Sequence, residues 1–290
     1  MFRHGTIKAK VGLIINRSAM NYLFCQRTKV VRTYGESEMN QIVSAPAAQY
    51  ITSSLQGKNV LISGGTSGIG LSAAIQAKAA GANVTILGMD RVRAERLAKE
   101  QQFAGFLVAD VTQPDTIYAA LSDIGRVDHL VLLAGTFVAG KVLEADTAHL
   151  QRAFDERVWA AVHTLRALGD NLAKDASVTL ISGALADRPN AYGVAILGAA
   201  SAAMEALGRG LALELAPRRV NTLSPGPIDT PILAKALGDG RDAYVESLKQ
   251  SLPLHRLGTA DEAGAAVVFL MANGWMNGAV LNIDGGSRLV

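Results

Sequence analysis

The sequence holds a single cysteine, Cys25, so no disulfide can close within the chain and its stability must come from packing. One thiol also suits a reducing compartment. The five histidines, His4, His129, His149, His163 and His255, stand far apart without metal-ligand spacing, and no metal is expected. Long apolar runs are missing as well. The longest early one, Val11 to Ile15, is broken by Gly12, well short of the roughly 18 residues of a membrane-spanning helix. The same shortfall speaks against a secretory signal. A soluble protein with no membrane partner is expected. Charge is scarce, at 18% of 290 residues, while 49% are apolar, a composition too apolar for disorder and large enough for a substantial core.

The charge is also unevenly placed. Formal net charge is +3, but Arg3, Lys8, Lys10, Arg17, Arg27, Lys29 and Arg32 fall within residues 1–35, which hold no acid. Residues 36–290 therefore carry 21 basic and 25 acidic side chains, a net of -4. A mildly acidic body argues against a nucleic-acid partner. Residues 1–55 form a basic extension whose composition suits a mitochondrial presequence, yet its basic and apolar residues do not segregate onto two helix faces. A disordered tail, or upstream sequence ahead of a start at Met39, are the other readings. The expected location is the cytoplasm, or the mitochondrion if the extension is a presequence.

Beyond Lys58, short β-rich runs alternate with longer segments of helical period. The runs are Asn59 to Ser63, Asn83 to Gly88, Gly105 to Ala109, His129 to Leu133, Ser177 to Ser182, Val220 to Ser224 and Ala279 to Ile283. Val, Leu and Ile run almost unbroken within them, as in strands buried on both faces. Helical segments lie between them at Ile69 to Ala80, Arg91 to Gln101, Asp115 to Asp123, Ala148 to Leu172, Leu197 to Ala216 and Asp261 to Ala272. This order predicts an α/β fold of the Rossmann type, a doubly wound parallel sheet of about seven strands. Residues 56–290 show no repeat and no change of composition, so a single domain is expected.

The first strand runs into Ser63-Gly64-Gly65-Thr66-Ser67-Gly68-Ile69-Gly70 and then a helix. Glycines there let the backbone turn tightly and approach a pyrophosphate, while free N–H groups at the helix start bind the anion. The absence of a following Gly-Lys-Ser/Thr excludes a P-loop. This turn resembles the Thr-Gly-x-x-x-Gly-x-Gly motif of the short-chain dehydrogenase/reductase family, with Ser for the leading Thr. Four further segments resemble that family in order. Asp110-Val111 matches its adenine-facing segment. Ala134-Gly135 matches the second half of Asn-Asn-Ala-Gly, with Leu132 and Leu133 at the Asn positions. Ser224-Pro225-Gly226-Pro227-Ile228-Asp229-Thr230-Pro231 matches its Pro-Gly loop at the nicotinamide end, and Gly278 to Gly286 its closing strand and turn.

The resemblance covers residues 58–290 and implies an NAD(P)-dependent oxidoreductase acting on a small carbonyl or alcohol. It implies cofactor contacts from Gly64, Thr66, Ser67, Gly68, Ile69, Gly70, Arg91, Asp110, Val111, Ala134, Gly135, Pro225, Gly226, Ile228 and Thr230. A homodimer or homotetramer is implied through Trp275, Met276 and the closing run. Where NAD-preferring relatives carry an acid at the end of the second strand, this chain has Gly88, followed by Met89, Asp90 and Arg91. With that acid gone, Arg91 or Arg93 can reach a 2′-phosphate, which favours NADP over NAD.

The family's chemistry rests on a Tyr and, four residues later, a Lys on one helix face, with a Ser on the preceding strand and an Asn on the long helix before it. Aligned without gaps through Ser201 to Asn221, the Tyr position is Leu197 and the Lys position is Ser201; no Lys occurs between Lys174 and Lys235. The Ser falls near Ser182 or Gly183, and the Asn position is Arg157. Candidate catalytic residues are therefore Ser182, Tyr192, the only nearby phenol, and Arg157, which can polarise a carbonyl but cannot donate a proton. Each also has a structural reading: strand-end hydroxyl, loop aromatic and ion-pair member. Two functions stay open. One is an oxidoreductase with atypical or weakened catalysis. The other is a non-catalytic dinucleotide-binding sensor or partner subunit.

Overall fold

The computed structural model describes residues 50, 51 and 54–290. The basic extension, with its presequence and Met39 readings, lies almost wholly outside the described residues.

Seven parallel strands form one sheet: β1 (Asn59–Ser63), β2 (Asn83–Gly88), β3 (Gly105–Val108), β4 (Val127–Leu132), β5 (Leu172–Ile181), β6 (Arg219–Pro225) and β9 (Val280–Ile283). Their spatial order is β3-β2-β1-β4-β5-β6-β9. The chain winds outward from β1 in one direction, then crosses back and winds from β4 in the other. The switch point between β1 and β4 opens a crevice at the carboxyl ends of the strands, where ligands of such sheets bind. One core cluster packs β1 and β2 against the helices α1 (Gly68–Ala79) and α9 (Ala260–Ala272), and includes Val60, Ile62, Ala73, Ala77, Val84, Ile86, Val267 and Leu270. On the opposite face, Leu61, Ile117, Leu121, Leu130, Val178, Leu180 and Met204 join β1, β4 and β5 to α3 (Pro114–Leu121), α5 (Ala160–Leu168) and α6 (Ala195–Glu214). Alternate strand residues thus bury into two helix layers, as the unbroken apolar runs require. The helix α2 (Arg91–Glu100), capped by the Asp90 carboxylate on Arg93 N, covers the edge at β2 and β3.

Two segments differ from the sequence expectation. The long helix expected over Ala148 to Leu172 is α4 (Thr147–Phe154), a π-turn (Asp155–Trp159) and α5. It stops at Gly169, whose φ of +48° takes the chain out of the helix, and Leu172 already belongs to β5. The segment after β6 contains two helices that periodicity did not disclose, α7 (Pro231–Leu237) and α8 (Arg241–Ser251). They hang as a lid from a two-residue parallel ladder in which β7 (Ile228–Asp229) pairs with β8 (Gly258–Thr259). By length and apolarity alone α6 could cross a bilayer; here its inner face packs on β5 and β6.

Candidate functional site

The glycine turn sits at the switch point, and steric exclusion explains its composition. Gly64 N and Gly65 N both donate to Leu87 O, at 3.0 and 3.3 Å, which folds the turn over the end of β2. A Cβ on Gly64 would lie 2.7 Å from Ala134 N, and one on Gly70 only 2.2 Å from Gly64 O. Gly68 has a φ of +51°, which an L side chain rarely adopts. The helix α1 then begins at Gly68 with no side chain capping it, Ser67 included. Its first N–H groups and positive dipole end therefore face the crevice and suit an anion. These residues fit the pyrophosphate of a dinucleotide. Thr230, at the start of α7, closes the far side: a Cβ on Gly68 would lie 3.3 Å from its side chain.

At the end of β2, the Thr66 side chain packs across Gly88, where a Cβ would come within 2.5 Å of Thr66 Cγ2. Any acid at position 88 would displace Thr66, so the missing carboxylate follows from packing as well as cofactor choice. The Arg91 guanidinium lies over the Phe106 ring at 5.9 Å, the cation–π geometry of a charge kept beside β3. Asp110 accepts from Thr112 N and Oγ1 through one oxygen. Val111 packs on the second core cluster. On the β6 side, Gly226 N donates to Ile283 O at 3.2 Å, and a Cβ there would meet Asp284 at 2.7 Å, which draws the Pro225-Gly226 loop against the closing strand.

Beyond Gly135 the character of the crevice changes. Leu197 is 4% exposed and packs with Val138, Ala153, Val194 and Ala200. An apolar plug fills the position where the resemblance implied a phenol. Ser201 is buried, and its carbonyl accepts from Ser182 Oγ at 3.0 Å. The same hydroxyl lies 2.8 Å from Glu205 Oε1, so Ser182 is committed to α6. Glu205 also accepts from Ser224 Oγ at 3.2 Å, and Ser224 accepts from Arg288 Nη2 at 2.6 Å. Arg288 completes this network through Asp187 and Asp284. Tyr192 lies apart from these groups, 79% exposed in the loop before α6, its N–H bonded to the Asn190 side chain.

Arg157 does lie in the crevice. The π-turn underwinds the helix at Asp155–Trp159, and two consecutive side chains engage the same residue beyond β4. Glu156, buried, accepts from Thr136 N at 2.6 Å and from Thr136 Oγ1 at 2.8 Å, while Arg157 Nη2 donates to Thr136 O at 2.8 Å. Glu156 pairs with Arg152 at 2.5 Å and reaches Arg157 only at 4.0 Å. The sequence marked Arg157 and quoted Ser224 within a matched loop, but gave no sign of Glu205 or Arg288, which act through contacts distant in the chain. Among the described residues no cluster of His, Cys, Asp and Glu could hold a metal.

Comparison with known proteins gives a consistent picture. A family model described as enoyl-(acyl carrier protein) reductase matches residues 64–288. The short-chain dehydrogenase/reductase ATR9 of Stachybotrys chlorohalonatus is 31% identical, over 81% of this chain and 98% of that protein. A cyclic-di-GMP-binding biofilm dispersal mediator protein of Escherichia coli is also 31% identical, over 79% of this chain and 96% of its own length. Among solved structures, a small-chain dehydrogenase in complex with NADPH is 31% identical and superposes with a TM-score of 0.71, covering 81% of this chain and all of that one.

Proposed function

The chain belongs to the short-chain dehydrogenase/reductase family of NAD(P)-dependent oxidoreductases, and from that premise we propose that it binds NADP(H) and reduces a small carbonyl compound slowly, without a Tyr–Lys pair. The observation that carries the reading is the contrast within one crevice: a glycine turn shaped for a pyrophosphate beside a reaction end whose phenol and ammonium positions are Leu197 and Ser201. The turn, the uncapped start of α1 and the Pro225 to Thr230 loop hold the dinucleotide, which when bound supplies the hydride. Gly88, with Arg91 and Arg93 close by in sequence, favours a 2′-phosphate over a bare ribose. A relative crystallised with NADPH supports the same choice.

In this reading Arg157 orients the acceptor, and solvent supplies the proton because the position of the family's phenol is the buried Leu197. General acid catalysis is worth roughly 10²- to 10⁴-fold and positioning can be worth more, so its loss slows reduction without abolishing it. Calorimetry with NADP(H) and NAD(H) tests the cofactor claim. Binding of NADP(H) supports it, and no binding of either at about 1 mM removes it.

A second reading is a non-catalytic dinucleotide-binding sensor or partner subunit. The plug around Leu197 favours it, as does a relative named for binding cyclic-di-GMP rather than for turnover. Under both readings the protein is a homodimer or homotetramer. Trp275 is 96% exposed, and among the described residues β9 is the last strand of the sheet, a surface suited to a second copy. A monomeric mass by light scattering would count against this assembly.

A further inference from the structure

The crevice contains a buried cation with little negative charge to meet it. The Arg157 side chain is only 12% exposed, and burial pushes its guanidinium below the ordinary value ahead of the opposing pull of Glu156. A guanidinium keeps its proton regardless, so the charge persists. Among the described residues its one ion pair is with Glu156, at 4.0 Å. That carboxylate is already engaged by Arg152 and by both donors of Thr136. The remaining partners of Arg157 are two carbonyls, Thr136 O at 2.8 Å and Ala153 O at 3.5 Å. Two of the five N–H donors are used.

Gly135 lies directly against this guanidinium. A Cβ there would stand 3.1 to 3.3 Å from Cζ, Nη2 and Nη1, so the planar group lies against the one residue type that adds nothing in front of it. Gly135 follows β4 at the carboxyl end of the sheet, beside the switch point. The neighbouring wall is apolar, formed where Ala153 packs with Val138 and Leu197. A planar fork of donors on an apolar wall matches a carboxylate carried on a hydrocarbon body, through two parallel charge-assisted bonds. A phosphate dianion would call for a second cation, and the nearby Arg152 is spent on Glu156.

We infer that Arg157 is the anchor for the carboxylate of a small organic acid, so that the crevice takes acidic rather than neutral substrates or ligands. The inference rests on the proposed function only in placing the dinucleotide alongside.

The test is calorimetry with hexanoate and 1-hexanol, equal in chain length and different in the charged head, on protein with and without saturating NADP⁺. The wild type should bind hexanoate at least about tenfold more tightly than the alcohol. Arg157→Gln should bring the two within about threefold, and Arg157→Lys should keep part of the preference, since an ammonium supplies charge without the fork. Both variants should bind NADP⁺ within about threefold of the wild type. Equal affinity for the two probes in the wild type overturns the inference, and so does no hexanoate binding at about 10 mM. A preference that survives in folded Arg157→Gln also overturns it. A large loss of NADP⁺ affinity in that variant would assign the guanidinium to the dinucleotide instead. If Arg157→Gln fails to fold by circular dichroism, the wild-type comparison and Arg157→Lys decide the matter. Should NADP⁺ not bind the wild type, the dinucleotide reading falls while the hexanoate comparison still stands on its own.

Discussion

The two ends of the crevice are built from different materials. At the end proposed for the dinucleotide the work falls to backbone: Gly64, Gly68 and Gly70 are held where a side chain would crowd Ala134 N, Thr230 or Gly64 O, and the first N–H groups of α1 carry no side-chain cap. At the reaction end the work would fall to side chains, and those present are apolar around Leu197 or engaged with one another, as in Ser182, Glu205 and Ser224. A backbone site survives only if its glycines survive, because no other residue fits. A side-chain site can be rebuilt one position at a time without disturbing the fold. On the proposed reading, this asymmetry is how one molecule could keep a family's cofactor geometry while its phenol position becomes Leu197.

The largest expected effect breaks the dinucleotide end. Gly68→Asp places a carboxylate at the start of α1, where the dipole and N–H groups await the pyrophosphate, and pushes against Thr230. Affinity for NADP(H) should fall at least about 100-fold by calorimetry. Asp tolerates positive φ better than most residues, so the fold should persist. Gly68→Asn, nearly the same shape without charge, should lose distinctly less. Equal losses in the two variants would show that shape alone governs the turn, and unchanged binding in both would remove the turn from the site.

How much of this was legible in the sequence follows from the same asymmetry. The seven strands and the glycine turn could be read because buried parallel strands leave unbroken apolar runs and because a tight turn demands glycine at fixed places. The helices α7 and α8 escaped notice because they are short and α8 has no buried residue, only the narrow stripe of Tyr244, Val245 and Leu248 to betray its period. The break in the long helix escaped as well, since nothing local distinguishes a π-turn from an α-turn. Ser182 could be placed at a strand end, but the direction of its hydroxyl depends on Glu205, 23 residues away on α6. Arg157 was marked by its position alone. What leaves its charge thinly paired, the engagement of Glu156 by Thr136 and Arg152, is a tertiary fact.

A smaller effect comes from the amino-terminal end of the central strand β4 and sharpens the comparison by leaving both ends of the crevice alone. His129 on β4 is 8% exposed; Nδ1 lies 2.7 Å from Ser177 Oγ, and Nε2 is buried with no partner among the described residues. Burial first, and then Arg219, lowers its pKa to about 4 from 6.5, with Asp128 and Asp175 opposing. The histidine is neutral in both states above pH 6.5. As pH falls from 6.5 toward 4 the unfolded chain takes up the proton first, so stability declines across that window and levels off below it. The loss is at most about 3 kcal/mol. His129→Asn should flatten urea-derived stability between pH 6.5 and 4.5 while keeping NADP(H) affinity at pH 7.5. Asp128 and Asp284, whose carboxylates are held below their ordinary values, contribute losses at lower pH that both proteins share. An unchanged slope in the variant would mean that another group carries the acid sensitivity.

The smallest expected effect concerns the phenol that the sequence offered as a candidate, Tyr192. A general acid contributes only when it is held within hydrogen-bond reach of the atom it protonates and when water cannot do as well. Tyr192 meets neither condition, being 79% exposed in a loop and set apart from the network around Ser182 and Glu205. With solvent as the proton source, carbonyl reduction followed by nicotinamide absorbance should stay well below a median turnover of about 10 s⁻¹ on aldehydes, ketones and keto acids. Tyr192→Phe should then change the rate by less than about twofold, because the hydroxyl it removes competes with bulk water rather than replacing it. A fall of about 100-fold or more would make Tyr192 a displaced proton donor brought in by closure of the lid, and the contrast between the two ends would collapse. No turnover on any of these compounds, with NADP(H) bound, would instead carry the contrast to its limit. The crevice would then be a binding site in which the dinucleotide end alone is in use.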